Sequence, residues 1–351
     1  MYNKYMSLRA WISAVTLGLI VLILVFSRHE LLQAWQLLER VNIWILLLLI
    51  PVQLIAYYAA AETLFEYLRS KKSIGHISRP DLMRMALEMN FVNHTLPSGG
   101  VSGISYMSWR LGKAGISAGK ATSALIIRQV VGFVASIILV AVCVIAVTID
   151  GEINRWIILV SLSIVSIMTT GTVAMMFLLS SKRHVRQFSS WLASSVNRLV
   201  KKITRGKKRK VVEEARVLHF FEEMHEDYID LRKDLKILVK PLWWAILFTI
   251  AEGSLFWITF WALGTPVNPA PIFIAYVLAS VAGFIVITPG GAGAYEAIMV
   301  AFLAVAGIAS GTAIAAIILT RVVILVTIIG LGYVFYQQAL IKYGKKDQPP
   351  L

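Results

Sequence analysis

Four charged side chains stand inside otherwise apolar sequence: Arg128, Glu252, Glu296 and Arg321. An ionisable group in hydrocarbon costs about 2.5–3.5 kcal/mol or more unless it is paired or hydrated, so each marks a polar contact or a pathway. The chemistry open to them is ion pairing, proton exchange and anion recognition, because a guanidinium fork matches the oxygens of a phosphate. Glu296 closes the stretch ITPGGAGAYE, residues 287-296. Pro289 lacks an amide donor, and Gly290, Gly291 and Gly293 tolerate backbone angles that other residues resist, so a helix must break there. Broken backbone at membrane depth survives only where protein covers it or where it lines a watered cavity, which predicts a lined cavity beside Glu296. Freed amides at a helix start also offer donors to an anion.

Helical rise sets the relative depth of Glu296 and Arg321. A helix from Glu296 to about Ala306 climbs roughly 16 Å, and one from Thr312 to Arg321 returns about 14 Å, so the two side chains are expected at similar depth. Two readings of the pair stay open: a bridge that holds helices together, or a site that receives a headgroup phosphate, and both can hold in different conformations. Glu252 and Glu88 divide in the same way. Asn90, Asn93 and His94 are expected as hydrogen-bond partners of unwound backbone, with proton carriage the alternative for His94. No catalytic constellation and no cofactor motif is read in the chain. His219, Glu222, Glu223 and His225 lack the HExxH spacing of a metal site and read as a solvated helix face. The single cysteine, Cys143, lies in an apolar run and is expected as a small packing residue.

The break occurs twice. Sliding the chain on itself by 192 residues places Pro97 on Pro289 and TLPSGGVSG (95-103) on ITPGGAGAY (287-295), with Gly99 and Gly100 on the glycine-rich turn. The register then gives 13 identities in 35 aligned positions, among them Leu111 on Leu303, Gly115 on Gly307 and Ile116 on Ile308. Such self-similarity reads as an internal repeat, against the alternative of convergent Gly/Ala-rich membrane sequence. Upstream of Pro97 the copies diverge in residue type.

With 58% hydrophobic residues among 351 and long uncharged runs, the chain cannot be a water-soluble enzyme. Its net charge of +15 is concentrated in loops beside membrane spans, which sets topology and attracts anionic lipid headgroups without invoking nucleic acid. The expected architecture is all-α and polytopic, a single membrane domain over 1-340 with a cytoplasmic tail at 341-351. Six full crossings are expected, at 10-26 (uncleaved), 42-62, 121-149, 155-179, 241-263 and 312-336. Two broken re-entrant hairpins lie at 82-114 and 272-306, in repeat halves 82-149 and 272-336. Basic clusters put both termini and loops 63-81 and 180-240 in the cytoplasm of a cell-membrane protein. The hairpins then enter from opposite faces, giving an inverted repeat as in many secondary transporters. Loop 180-240 carries sixteen Lys and Arg against eight Asp and Glu. In its second half Leu218, Phe221, Met224, Tyr228, Leu231, Leu235 and Leu238 form one apolar stripe, for packing on the membrane domain or for self-association into a homo-oligomer.

These residues resemble a known family, the flippase-like membrane region of bacterial lysylphosphatidylglycerol synthases, also found as stand-alone membrane proteins. The family's P-G-G-x-G-x-x-E element with a later intramembrane arginine matches Pro289, Gly290, Gly291, Gly293, Glu296 and Arg321. Its first-half P-x-x-G element and later arginine match Pro97, Gly100 and Arg128, but the acid often found just after that element is missing, since Ser102, Gly103 and Ile104 stand there. The resemblance implies a non-enzymatic lipid translocator that moves a phosphate-bearing lipid, aminoacylated or polyprenyl-linked, across the membrane. No aminoacyl-transferase domain is expected within these residues. Broken helices, buried charges and a repeat would equally suit an ion-coupled transporter of a small solute, and a basic loop would suit a membrane scaffold or regulator.

Overall fold

The computed structural model describes residues 35–36, 39, 41–96, 101–149, 155–203, 213–285 and 293–343. The expected first crossing at 10-26 lies outside them, as do Pro97, Gly99, Gly100, Pro289, Gly290 and Gly291. The described residues form α-helices joined by short turns, with no strand among them. Five helical stretches are long and apolar enough to cross a membrane: Ile43–Ser70, Lys120–Ile149, Arg155–Leu179, Leu235–Ala262 and Ser310–Tyr343.

After a single helical turn capped by Asn42, whose Oδ1 accepts from Trp44 N at 3.1 Å, helix α1 runs over Leu49–Ser70. Helices α2 (Arg79–Thr95) and α3 (Val101–Lys113) form the first broken hairpin. Ser78 starts α2 by accepting from Asp81 N, with Pro80 in the first turn where its missing donor costs nothing. Then come α4 (Ala118–Ile149) and α5 (Arg155–Leu179), followed by α6 (Lys182–Ile203) and α7 (Glu214–Lys233). Helix α8 (Val239–Ala262) leads to the second broken pair, α9 (Pro269–Ile285) and α10 (Ala294–Val305). The last long helix is α11 (Ser310–Thr327), a π-helical turn at Ile328–Gly332, and α12 (Tyr333–Tyr343).

The repeat extends further upstream than residue identity suggests. Shifted by 192, Ile43–Ser70 falls on Leu235–Ala262, so each copy begins one full crossing before its hairpin. The helix-ending turns repeat bond for bond. Gly115 and Gly307 both take positive φ, at 84° and 83°, a region that glycine enters freely. Ile116 N donates to Leu111 O at 3.0 Å, and Ile308 N to Leu303 O at 2.9 Å. Lys72 (φ 52°) and Gly264 (φ 71°) make the second matched pair, with Ser73 N on Leu68 O and Thr265 N on Phe260 O.

The copies are inverted. α1 and α8 are counterparts under the shift, yet they pack antiparallel: Asn42 N donates to Ala262 O at 2.9 Å, and farther along Tyr58 meets Trp244 edge-on at 5.5 Å between ring centroids. Counterparts that run in opposite directions are related by an axis perpendicular to the helices, hence in the plane of the membrane. Each hairpin packs on the other copy's long helix, α2 on the π turn and α12, and α9 on α4. The first of these approaches is very close. A Cβ on Gly332 would sit 2.6 Å from Phe91 Cβ and 3.0 Å from Leu87 O, so the π turn can receive α2 only with glycine there.

Lipid-facing positions stay apolar, as Trp243, Ile250, Trp257 and Trp261 of α8 show, while Thr249, Phe256 and Thr259 face inward. The ends of α1, α3, α5 and α12 lie toward the same face as α7. Arg110 lies 4.1 Å over Tyr343, His225 Nδ1 meets Leu179 O at 2.6 Å, and Ser123 on α4 bonds Asp227.

Loop 180–240 departs from expectation twice. Its first half holds α6, where Val185, Ser189 and Ala193 turn inward at four-residue steps between basic side chains. The sheer density of Lys and Arg masks that period in the sequence. The stripe of the second half is also not one helix. The chain turns at Asp234, whose carboxylate accepts from Lys236 N, and Leu235 is left 61% exposed. Leu218, Phe221, Met224 and Tyr228 do pack together on the α5–α6 junction.

Candidate functional site

Gly293 precedes α10 with φ 90°, and Glu296 sits in the first turn of that helix. The carboxylate reaches back so that Oε2 accepts from Gly293 N at 2.6 Å, closing one orphan donor of the helix start. Its other oxygen, Oε1, accepts from Arg321 Nε at 2.9 Å. Arg321 also lies 4.8 Å over the ring of Tyr295, a cation–π contact that holds the guanidinium against α10. Beside it on α11, Thr320 Oγ1 bonds Thr259 Oγ1 at 2.7 Å and fixes α11 to α8. The two charges thus meet at one depth, with about a quarter of each side chain exposed.

Around this pair the inverted copies converge. Tyr295 stacks on Phe256 of α8 at 6.1 Å, and Phe256 in turn meets Tyr276 of α9. Glu252 lies one turn before Phe256 on the same interior face, within Coulombic range of Tyr57, Tyr276 and Tyr295. Tyr57 accepts a hydrogen bond from Gln53 Nε2, and Gln53 also reaches Ile324 O at 3.4 Å. From the end of α2, His94 comes within Coulombic range of Arg321, while its Nδ1 is held by Asn90 O at 2.9 Å. Gly293, Glu296, Arg321, Glu252 and His94 therefore share one polar centre, between two hairpins that enter from opposite faces.

The other expected site residues lie elsewhere. Glu88 accepts from Arg110 Nε at 3.0 Å and from the Tyr106 hydroxyl at 2.9 Å, all inside the first hairpin. Asn93 clips the same hairpin, since its Oδ1 accepts from Gly103 N at 2.9 Å. Asn90 points its Nδ2 into buried space without a hydrogen-bond partner among the described residues. Arg128 sits half-buried on α4 and makes no ion pair among the described residues; the 192-residue register places it on Thr320, one position before Arg321. His219 pairs with Glu223 on the exposed face of α7 while His225 turns inward to Leu179, so those four residues diverge.

Sequence reasoning missed Gln53, Tyr57, Tyr276 and Tyr295, and did not single out Arg110 as the partner of Glu88. The available signal was tyrosine inside apolar spans, because a buried phenol needs a partner for its hydroxyl. What the centre offers chemically is a cation beside a helix start, a second carboxylate without a cationic partner among the described residues, and hydroxyls that can donate or accept.

Residues 11–332 match the family described as the lysylphosphatidylglycerol synthase TM region. The chain belongs to that family. The matched span takes in both hairpins and every residue of the polar centre. A UPF0104 membrane protein from Methanothermobacter thermautotrophicus is 23% identical over 248 residues, covering 70% of this chain and 72% of that protein. No solved structure matches. At the position where resemblance to the family leads one to expect an acid in the first half, this member has its hairpin clip. A Cβ on Gly103 would stand 2.1 Å from Asn93 Oδ1, so a side chain there would displace Asn93.

Proposed function

We propose that this protein is a non-enzymatic lipid translocator that carries a phosphate-bearing headgroup, aminoacylated or polyprenyl-linked, across the cell membrane while the acyl or prenyl chains stay in the bilayer. The observation that carries this reading is Arg321, held by Glu296 at the start of α10 where two opposed broken hairpins converge. A phosphate arriving at that point can replace the Glu296 carboxylate on the guanidinium, and the nearby helix start adds favourable dipole. Family membership supplies the lipid connection.

The test is a headgroup-accessibility assay. Purified protein in vesicles containing a trace of fluorescent phosphatidylglycerol is exposed to an impermeant reductant. Protein-free vesicles lose only the outer-leaflet signal, about half; translocation is expected to bleach the remainder as well. A trace identical to protein-free vesicles would sink the reading for this lipid class.

Orientation belongs to the same proposal: the face that carries α6, whose charged residues are all Lys and Arg and suit anionic headgroups, is cytoplasmic. In a Cys143-free variant, cysteines placed at Ser181 and at Asn268 are expected to react with an impermeant maleimide from opposite sides, with Asn268 labelled in intact cells. Labelling of Ser181 from outside would reverse the assignment.

A further inference from the structure

Glu252 is a carboxylate at the middle of the 24-residue helix α8, on its inward face, and it makes no hydrogen bond or ion pair among the described residues. Among the described residues, the other acidic side chains buried or half-buried in the membrane helices have a counter-charge: Glu62 and Glu66 hold Arg69, Glu88 holds Arg110, and Glu296 holds Arg321. The groups facing it are phenols rather than cations. α1 brings Tyr57, α9 brings Tyr276 and α10 brings Tyr295, with the Glu296–Arg321 pair and His94 beyond. α4 carries Arg128, which forms no ion pair among the described residues, and the turn Ile43–Leu46 carries no titratable group.

We propose that Glu252 is a proton-binding site whose loading and unloading drives the transport cycle, an inference that rests on the translocator reading and names its energy source. A proton taken from one side converts the carboxylate to the neutral acid, and its release to the other side restores the charge. Phenol hydroxyls suit both states, since each can donate to a carboxylate and accept from a carboxylic acid. A fixed cation would hold the group ionised, and a purely apolar shell would hold it protonated; neighbouring phenols, whose hydroxyls bond Gln53 and Ser280, do neither. Tyr295 lies within Coulombic range of Glu252, Glu296 and Arg321 together, so the charge on Glu252 is felt at the headgroup site. Protonation removes a negative charge beside Tyr295, the ring that covers Arg321.

Two measurements separate this inference from the reading beneath it. Infrared difference spectra of reconstituted protein, acid minus neutral, are expected to show a carboxylic-acid carbonyl band that is lost in Glu252→Gln, shifted in Glu252→Asp and kept in Glu88→Gln. A band unchanged in both Glu252 variants would overturn the proton site whether or not lipid moves. In vesicles, an imposed pH gradient is expected to shift the leaflet ratio of fluorescent phosphatidylglycerol by about tenfold per pH unit for one proton per lipid. Glu252→Asp should retain that response and Glu252→Gln should lose it. Wild-type translocation that ignores a pH gradient, or that answers to a sodium gradient at constant pH, would overturn the coupling while leaving the translocator reading intact. No translocation at all would overturn that reading, and the infrared band would still decide whether Glu252 binds a proton.

Discussion

Replacing Glu88 by Gln is expected to cost about 3–5 kcal/mol of stability, because it leaves Arg110 as a buried cation without its counter-charge. The two side chains are only 3% and 7% exposed. Tyr106 donates to the same carboxylate, and Tyr343 covers the guanidinium at 4.1 Å, so the cluster ties α2 to α3 and both to the end of α12. Thermal unfolding in detergent, followed by loss of the monodisperse peak, should show a large downward shift for Glu88→Gln and for Arg110→Gln. The double substitution should recover most of that shift, since a neutral pair leaves nothing uncompensated. It should also translocate lipid at the wild-type rate, because the cluster shares no residue with the polar centre. A stable double variant that moves no lipid would place Glu88 back on the pathway.

What could be read in the sequence divides by physical kind. The broken elements were legible because proline and glycine act locally: a helix cannot continue through them whatever surrounds it. The depth match of Glu296 and Arg321 was legible for a similar reason, since helical rise alone fixes it. The repeat was visible only from Pro97 onward. Upstream, the copies share a backbone path and not residue types; Lys72 and Gly264 occupy the same positive-φ turn with nothing in common as side chains. Helix α6 was hidden because its inward residues include Ser189, which no hydrophobic pattern registers. The tyrosines around Glu252 escaped notice because each comes from a different helix, and only packing brings Tyr57, Tyr276 and Tyr295 to one place. Glu88 shows the converse. Its partner Arg110 lies 22 residues away in the sequence, and only the antiparallel register of α2 and α3 joins the two.

The contrast between the two interior ion pairs sets the remaining prediction. Glu296 and Arg321 are about a quarter exposed, and Glu296 is also tied to Gly293 N, so breaking this pair is expected to cost less than breaking Glu88–Arg110, about 1.5–3 kcal/mol for the lost charged hydrogen bond. Glu296→Gln keeps a side-chain oxygen for Gly293 N but frees Arg321 of its anion, whereas Arg321→Gln removes the cation that is proposed to receive phosphate. Both single variants should lower the unfolding midpoint. The Glu296→Gln/Arg321→Gln double variant should regain it, as any structural pair would when both charges go. Activity is where the pairs part. The double variant at 296 and 321 is expected to be stable and to lose translocation of fluorescent phosphatidylglycerol, by a factor on the order of a hundred if the lost charge-assisted contact acts in the rate-limiting step. A variant carrying Arg321→Lys separates charge from geometry: an ammonium keeps the attraction but not the planar fork, so partial activity is expected. If the stable double variant translocates lipid at the wild-type rate, Arg321 is a structural brace between α10 and α11, and the phosphate must be received elsewhere.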